Sequence, residues 1–101
     1  MIYTMQQLET GQRVRRLGKR FYKTYEWIQM RDRILARDHY ACVECRKGGR
    51  YTRADTVHHI RHLRDAPELA LTPENLESVC RDCHARIHDA RKREFVNRER
   101  W

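Results

Sequence analysis

Two Cys-x-x-Cys pairs limit the folds available to this chain more than any other feature of its sequence. Cys42 and Cys45 form the first pair, Cys80 and Cys83 form the second, and each pair places two sulfur atoms on one side of a tight turn. Four thiolates complete the tetrahedral coordination that zinc prefers, and a site with four protein ligands is closed and structural. A redox-active pair or four unrelated thiols is the alternative, but a redox motif needs only one pair. The sequence therefore predicts a structural Zn²⁺ site.

The size and charge of the chain agree with a small, metal-stabilised domain that binds a polyanion. Its 101 residues are enough for one domain, and the limited core of so small a domain gains stability from a metal. The 22 Lys and Arg residues exceed the 14 Asp and Glu residues, which gives a formal net charge of +8. Nucleic acid is the first candidate partner, and a protein that is merely basic is the alternative.

The sequence has neither the composition of a signal peptide nor an apolar run of the ~20 residues that cross a membrane. We therefore expect a soluble, unexported protein of the cytoplasm with no membrane partner. In a reducing compartment, cysteines act as metal ligands or reactive thiols more often than as disulfides.

The first 23 residues differ in pattern from the rest of the chain, because they combine weak periodicity with many basic residues. We interpret residues 1–23 as a mobile basic arm and residues 24–101 as the folded domain. From Thr24 onwards, apolar residues fall at helical spacing and Thr24 itself can cap a helix. This pattern predicts a helix over residues 25–38.

The remaining segments predict two short strands and a final helix, which together with the first helix indicate an α+β fold. Residues 81–98 lack Pro and Gly, as expected of a helix. The predicted elements are a strand over 51–60, a short turn that begins at Pro73, a strand over 76–79 and a helix over 81–98.

Four of the six histidines lie near or between the cysteine pairs, and their spacing favours a second metal site. His84 and His88 are four residues apart, which brings them to one helical face, where a helix commonly offers two imidazoles to one ion. His58 and His59 are neighbours on a strand and point to opposite faces, so one should bind the metal and the other should have another role. The alternatives are solvent-facing residues for the strand pair, and for His84 a zinc ligand in place of a cysteine.

Three motifs stand out in the second half of the chain: Val57-His58-His59-Ile60, Pro73-Glu74-Asn75-Leu76, and Cys80-Arg81-Asp82-Cys83-His84 with His88. Taken together, they resemble the HNH endonuclease family. The resemblance covers roughly residues 25–90 and is strongest to the short HNH enzymes encoded by tailed phages. It implies a small, zinc-stapled ββα-metal domain, similar to a treble clef, with an N-terminal helix.

The resemblance also implies a role for each site residue. His59 is the expected general base, and Asn75 is expected to hold the loop that carries this base, although a capping role in the turn after Pro73 is the alternative. His58, His84 and His88 are the expected ligands of the catalytic metal. Because imidazole at position 58 favours Zn, Ni, Co or Mn over Mg, the ion is left open among Mn²⁺, Ni²⁺, Zn²⁺ and Mg²⁺.

The family resemblance implies that the chain hydrolyses phosphodiester bonds in double-stranded DNA and leaves 5′-phosphate and 3′-hydroxyl ends. We expect a monomer or weak dimer, in the host cytoplasm if the protein is phage-encoded. A non-catalytic, zinc-stabilised DNA-binding module and a protein-binding treble clef are the alternatives. Basic residues near both ends are expected to contact phosphates or to form a solvated surface; they are Arg13, Arg15, Arg16, Lys19, Arg20, Arg91, Lys92 and Arg93.

Overall fold

A two-stranded antiparallel sheet and the helix that follows it form the centre of the fold. Strand β1 (Thr56–His59) pairs with strand β2 (Leu76–Val79), so that His58 lies opposite Glu77. The last helix begins at Arg81, and only Cys80 separates it from the end of β2. The two strands and this helix make a ββα unit, and the α+β prediction is confirmed.

The computed structural model describes residues 2–99, with side chains for residues 2–90. No helix in this described part is both long enough and apolar enough to cross a membrane. In chain order, the helices are α1 (Met5–Leu17), α2 (Tyr25–Arg37), α3 (Val43–Lys47) and α4 (Arg81–Glu99), and short 3₁₀ segments lie at Gly18–Lys23, Pro67–Leu69 and Pro73–Asn75.

Helix α2 agrees with the sequence prediction for residues 25–38 within one residue. The Thr24 side chain caps it by accepting a hydrogen bond from the backbone N–H of Trp27 at 3.3 Å. Its buried face carries Trp27, Ile34 and Leu35 and packs against both strands. Strand β2 and the turn that begins at Pro73 also lie where the sequence predicts them.

The first strand is shorter than the predicted range of 51–60. Only Thr56–His59 pairs with β2, because the residues before it pair with the chain that leads into the first cysteine pair. The backbone N–H of Cys42 donates to the Thr52 carbonyl at 2.7 Å, and that of Ala54 donates to the Tyr40 carbonyl at 2.8 Å. This pairing holds the first cysteine pair next to the sheet.

The N-terminal segment differs most from its prediction, because residues 5–23 of the segment interpreted as a mobile basic arm are helical. A capping box between Thr4 and Gln7 begins α1. Its buried face consists of Thr10, Gly11 and Val14, and the helix packs on the turn at Pro67–Leu69. Two of the three buried residues are polar or lack a side chain, so hydrophobic periodicity does not reveal this helix.

The end of α2 is tied to β2 by hydrogen bonds around Asp38. Its carboxylate accepts bonds from the backbone N–H of Ser78 at 3.1 Å and from the Arg37 guanidinium at 2.9 and 3.0 Å. Burial raises the pKa of this carboxyl, but the hydrogen bonds from Arg37 and Ser78 outweigh burial and hold the pKa below its ordinary 3.8. The ionised form therefore fixes β2, and with it the sheet, against α2.

We expect Asp38→Asn to destabilise the protein by about 1–3 kcal/mol at neutral pH, because the amide presents N–H groups to existing donors. Since the folded-state pKa is lowered, the carboxylate stabilises the wild type above about pH 4, and this contribution is lost as the pH falls through the folded-state pKa. Urea unfolding of both proteins at pH 7 and pH 3 should show the difference shrinking at pH 3.

The matched control is Asp32→Asn, which changes an exposed carboxylate on the same helix. Equal unfolding free energies for the two variants at pH 7 would show that Asp38 does not hold the sheet.

Candidate metal centre and histidine cleft

The four cysteines form one buried cluster, as their spacing predicts. Their sulfur atoms all lie within 4.8 Å of one another, and Cys45 Sγ is 3.9 Å from Cys80 Sγ and 3.6 Å from Cys83 Sγ. Four thiolates on a tetrahedral zinc ion at ~2.3 Å lie about 3.7 Å apart, so the donor set fits such an ion. The predicted clustering is confirmed, and the cluster could hold zinc.

Local surroundings shift the pKa values of two of these thiols in opposite directions. Bonds from Thr52 and Arg50 lower the pKa of Cys45 to about 6, whereas burial and a hydrogen bond with Cys45 raise the pKa of Cys83 to about 12. Arg86 also donates to Cys83 Sγ, at 3.1 Å. A metal held by four thiolates carries excess negative charge, and the guanidinium groups of Arg50 and Arg86 are placed to offset it.

A cleft of about 440 Å³ gathers the histidines that the sequence analysis singles out. His58 and His59 from β1 and His84 and His88 from α4 all line this cavity, which we call the histidine cleft. His62, to which the sequence analysis assigns no role, lines it as well. The fold thus brings together residues from a strand and a helix that are distant in sequence.

His58 has the surroundings of a metal ligand. Its Nε2 lies 2.8 Å from Oε1 of Glu77, the residue opposite on β2. Because a carboxylate only accepts, Nε2–H is the donor and Nδ1 carries the lone pair. Nδ1 is buried and has no hydrogen-bond partner among the described residues. An unpartnered ring nitrogen with a carboxylate behind the other nitrogen is typical of metal-binding histidine.

The histidines are more widely spaced than the cysteines. The ring centroids of His84 and His88 are 6.5 Å apart. Within the described part of the chain, only the cysteines bring three or more potential ligand atoms within 4.8 Å of one another. Imidazoles that share one ion at ~2.1 Å have donor nitrogens about 3–3.5 Å apart, so side chains of the cleft must turn inwards to share one.

His59 has a different environment from His58, although the two are neighbours in sequence. Its Nε2 lies 3.1 Å from the carbonyl oxygen of Ala70, so Nε2–H is the donor and Nδ1 carries the lone pair. Its ring stacks on Trp27 at 5.0 Å and meets the edge of Tyr22 at 6.2 Å. These contacts fix both the ring plane and the tautomer.

Asn75 holds the loop that follows His59. Its side chain accepts from the Arg61 N–H at 2.8 Å and donates to the carbonyls of Arg61 and Leu69, both at 3.3 Å. Leu69 immediately precedes Ala70, whose carbonyl contacts His59. The side-chain hydrogen bonds of Asn75 thus run to Arg61 and Leu69, whereas the capping alternative would direct them to the turn after Pro73.

Three contributors to the site do not follow from sequence reasoning. Glu77 contacts His58 only because of the strand register, and the Ala70 carbonyl and the Trp27 ring reach His59 only through tertiary packing. The sequence offers one signal for Trp27: it lies four residues before Arg31, so both side chains lie on one face of α2. Arg31 also lines the histidine cleft.

The basic residues proposed to bind DNA fall into three groups. Arg13 pairs with Glu26 at 3.0 Å and Arg15 pairs with Glu68 at 2.6 Å, so both have partners within the protein. The second group is exposed and comprises Arg16, Lys19 and Arg20. The third group lies on α4 with side chains outside the described residues, and comprises Arg91, Lys92 and Arg93.

Comparison with known proteins agrees with this geometry. A family model described as HNH endonuclease matches residues 42–90. A probable HNH endonuclease of Lactococcus phage SK1 is 35% identical over 68 residues, which cover 63% of this chain and 70% of that protein. The crystal structure of the HNH endonuclease of deep-sea thermophilic bacteriophage GVE2, with a manganese ion, matches with a TM-score of 0.73 and 35% identity, and covers 88% of this chain and 92% of that one.

A ββα unit with clustered cysteines and a histidine cleft defines a small, metal-binding nuclease. The chain belongs to the HNH endonuclease family and is an endonuclease. Membership of this family implies a DNA substrate.

We expect Cys80→Ala to abolish the cooperative thermal unfolding transition, because three thiolates bind the ion more weakly and metal binding is coupled to folding. A strong chelator should have the same effect on the wild type, and added Zn²⁺ should reverse it in the wild type only. Metal content and circular dichroism melts report both effects. An unchanged melt for the variant or for the chelated wild type would show that the cluster does not stabilise the fold through a metal.

Proposed function

We propose that this endonuclease uses a divalent metal to hydrolyse phosphodiester bonds of double-stranded DNA, nicking or cutting it to leave 5′-phosphate and 3′-hydroxyl ends. The observation that carries the proposal is that two adjacent histidines line one cleft but have different hydrogen-bond surroundings. His58 has a buried, unpartnered Nδ1, and His59 has its tautomer fixed by a backbone carbonyl. Hydrolysis needs both a metal ligand set and a general base.

His58, His84 and His88 are the residues that would hold the metal, with His58 using Nδ1. When bound, a divalent ion would stabilise the charge that develops on the phosphoryl group and on the leaving 3′ oxygen. Imidazole donors favour Mn²⁺, Ni²⁺ or Zn²⁺ over Mg²⁺. The manganese ion in the structure of the GVE2 enzyme supports Mn²⁺ as the first ion to test.

His59 would act as the general base towards the attacking water. The Ala70 carbonyl holds the proton on Nε2, so the lone pair lies on Nδ1, the atom that we propose accepts the proton. Stacking on Trp27 keeps the ring in one plane while it gains and loses that proton. Asn75 would contribute by holding the loop that contains the carbonyl, and it takes no part in proton transfer.

The positive charge of the protein would steer DNA towards the cleft. Arg31 is half-exposed, lines the cleft and is placed to contact a phosphate near the scissile bond. Exposed Arg16, Lys19 and Arg20 would neutralise phosphates farther along the duplex. Arg91, Lys92 and Arg93 are proposed to do the same from α4.

We expect His59→Ala to reduce cleavage of supercoiled plasmid by about 10²–10⁴-fold, because it removes the base but leaves the metal ligands in place. The assay uses metal-stripped protein, reloaded with Zn²⁺ at the cysteines and supplied in turn with Mn²⁺, Ni²⁺ or Mg²⁺. Added imidazole should partly restore cleavage, because it can occupy the space left by the ring.

The control is His39→Asn, which changes an exposed histidine at a positive φ of 56° that asparagine tolerates. This variant should cut normally. Undiminished cleavage by His59→Ala would rule out His59 as the base, and DNA binding without cleavage by the wild type under every metal would contradict the proposed reaction.

We expect Glu77→Gln to weaken binding of the second metal by about 10–100-fold, because the amide no longer increases the electron density of the His58 ring. Cleavage at saturating Mn²⁺ should stay close to the wild-type rate. Competition with a metal-chelating dye measures the affinity directly, without reference to activity. The control is Glu74→Gln in the exposed turn before β2, and equal affinities for the two variants would remove Glu77 from the metal site.

A further inference from the structure

One face of α1 contacts the segment that supplies the acceptor for His59. Gln7, Gly11 and Arg15 are spaced four residues apart and therefore follow one another along that face. The Gln7 amide donates to the Thr72 hydroxyl at 3.1 Å, and Arg15 Nη2 lies 2.6 Å from Oε1 of Glu68. Thus Gln7 and Arg15, two turns apart on α1, hold the two ends of residues 68–72, which include Ala70.

Glu68 is the centre of these contacts. It is only 8% exposed, and a carboxylate at this depth needs a charged partner. Arg15 provides one from the surface, with 63% of its own side chain exposed. A Cβ added at Gly11 would lie 2.8 Å from Cγ of Glu68, so the absence of a side chain at position 11 allows the carboxylate to reach its place.

The position of Glu68 is transmitted to His59 through a short, rigid turn. The backbone N–H of Leu69 donates to the Ala66 carbonyl at 3.0 Å, and that of Ala70 donates to the Pro67 carbonyl at 3.2 Å. Ala66 and Ala70 are 1% and 0% exposed, so the turn cannot shift without disturbing the packing around it. The Ala70 carbonyl at its end is the acceptor that fixes the tautomer of His59.

We propose that Arg15 is a positioning residue for His59, and that it acts through Glu68 and the Ala70 carbonyl and does not bind DNA phosphate. This assignment replaces the role expected for Arg15 from its place in a basic segment, and it rests on the proposed function of His59 as the base. Arg15 and Arg16 are adjacent basic residues of α1, and the proposal assigns them different roles.

The first test compares single-turnover cleavage rates at saturating enzyme with dissociation constants for the same DNA duplex. Arg15→Ala should lower the rate by about 5–10-fold, since loss of the contact with Glu68 shifts the Ala70 carbonyl and misaligns the His59 ring. Arg15→Lys should restore most of the rate, because one ammonium can replace the single contact to Glu68. Arg16→Ala should mainly weaken DNA affinity, and Arg33→Ala, which removes an equivalent exposed charge from α2, should leave the rate unchanged.

Gly11→Ala provides a test that leaves the charge unchanged. Alanine favours a helix more than glycine does, so unfolding of α1 cannot account for a slower reaction. The new methyl group displaces Glu68, and we expect a loss in rate of about 3–10-fold with DNA affinity unchanged.

The tautomer of His59 gives a readout that does not depend on cleavage. Ring ¹⁵N chemical shifts should report a proton on Nε2 in the wild type and in Arg33→Ala, and a mixture of tautomers in Arg15→Ala and Gly11→Ala. If the wild type cuts DNA but Arg15→Ala matches Arg33→Ala in rate and ring shifts, the positioning role is wrong. If the shifts change as expected but the wild type cuts no DNA, the positioning role stands and the proposed reaction fails.

Discussion

The arrangement of this molecule depends on four buried sulfur atoms that lie within 4.8 Å of one another, close enough to share one metal ion. One cysteine pair flanks the start of α3, and the other spans the junction between β2 and α4. The backbone N–H of His84 donates to the Cys80 carbonyl at 3.0 Å, so the first turn of α4 is built directly on the second pair. The same junction therefore sets the direction of β2, which pairs with β1, and of α4, which carries His84 and His88. A metal at the cysteines would give so small a domain the stability that a larger hydrophobic core would otherwise supply.

Polar contacts connect the cysteine cluster with the histidine cleft. Glu44 lies on α3 between the two cysteines of the first pair, close to the carboxyl group of Glu77 on β2. Lys47 on the same helix contacts Glu44 at 3.3 Å, and Glu77 contacts His58 at 2.8 Å. The helix that a metal at the cysteines would hold in place thus touches the carboxylate that orients a histidine of the cleft. We therefore expect loss of a metal from the cysteines to disturb both the stability of the fold and the arrangement of the cleft.

The parts of the fold that the sequence predicts are those with local signals. Thr24 marks the start of α2, cysteine spacing predicts the cluster, and the interval between His84 and His88 places both on one helix that lines the cleft. The parts that it does not predict depend on contacts between distant residues. Helix α1 buries Thr10 and Gly11 against a loop and therefore has no apolar stripe. The partner of His58 depends on strand register, since a shift of one residue would place a different side chain opposite it.

The different roles proposed for His58 and His59 rest on the charge of the group that each ring contacts. Strand alternation turns the two rings to different neighbours, so that one donates to the Glu77 carboxylate and the other to the Ala70 carbonyl. An anionic acceptor increases the electron density at the opposite ring nitrogen, which strengthens a metal ligand. A neutral carbonyl fixes the tautomer without adding a negative charge, which would stabilise the protonated ring. This suits a general base, because the ring must release the proton that it accepts. The fold thus gives two identical side chains different acceptors, and the roles proposed for them depend on this difference.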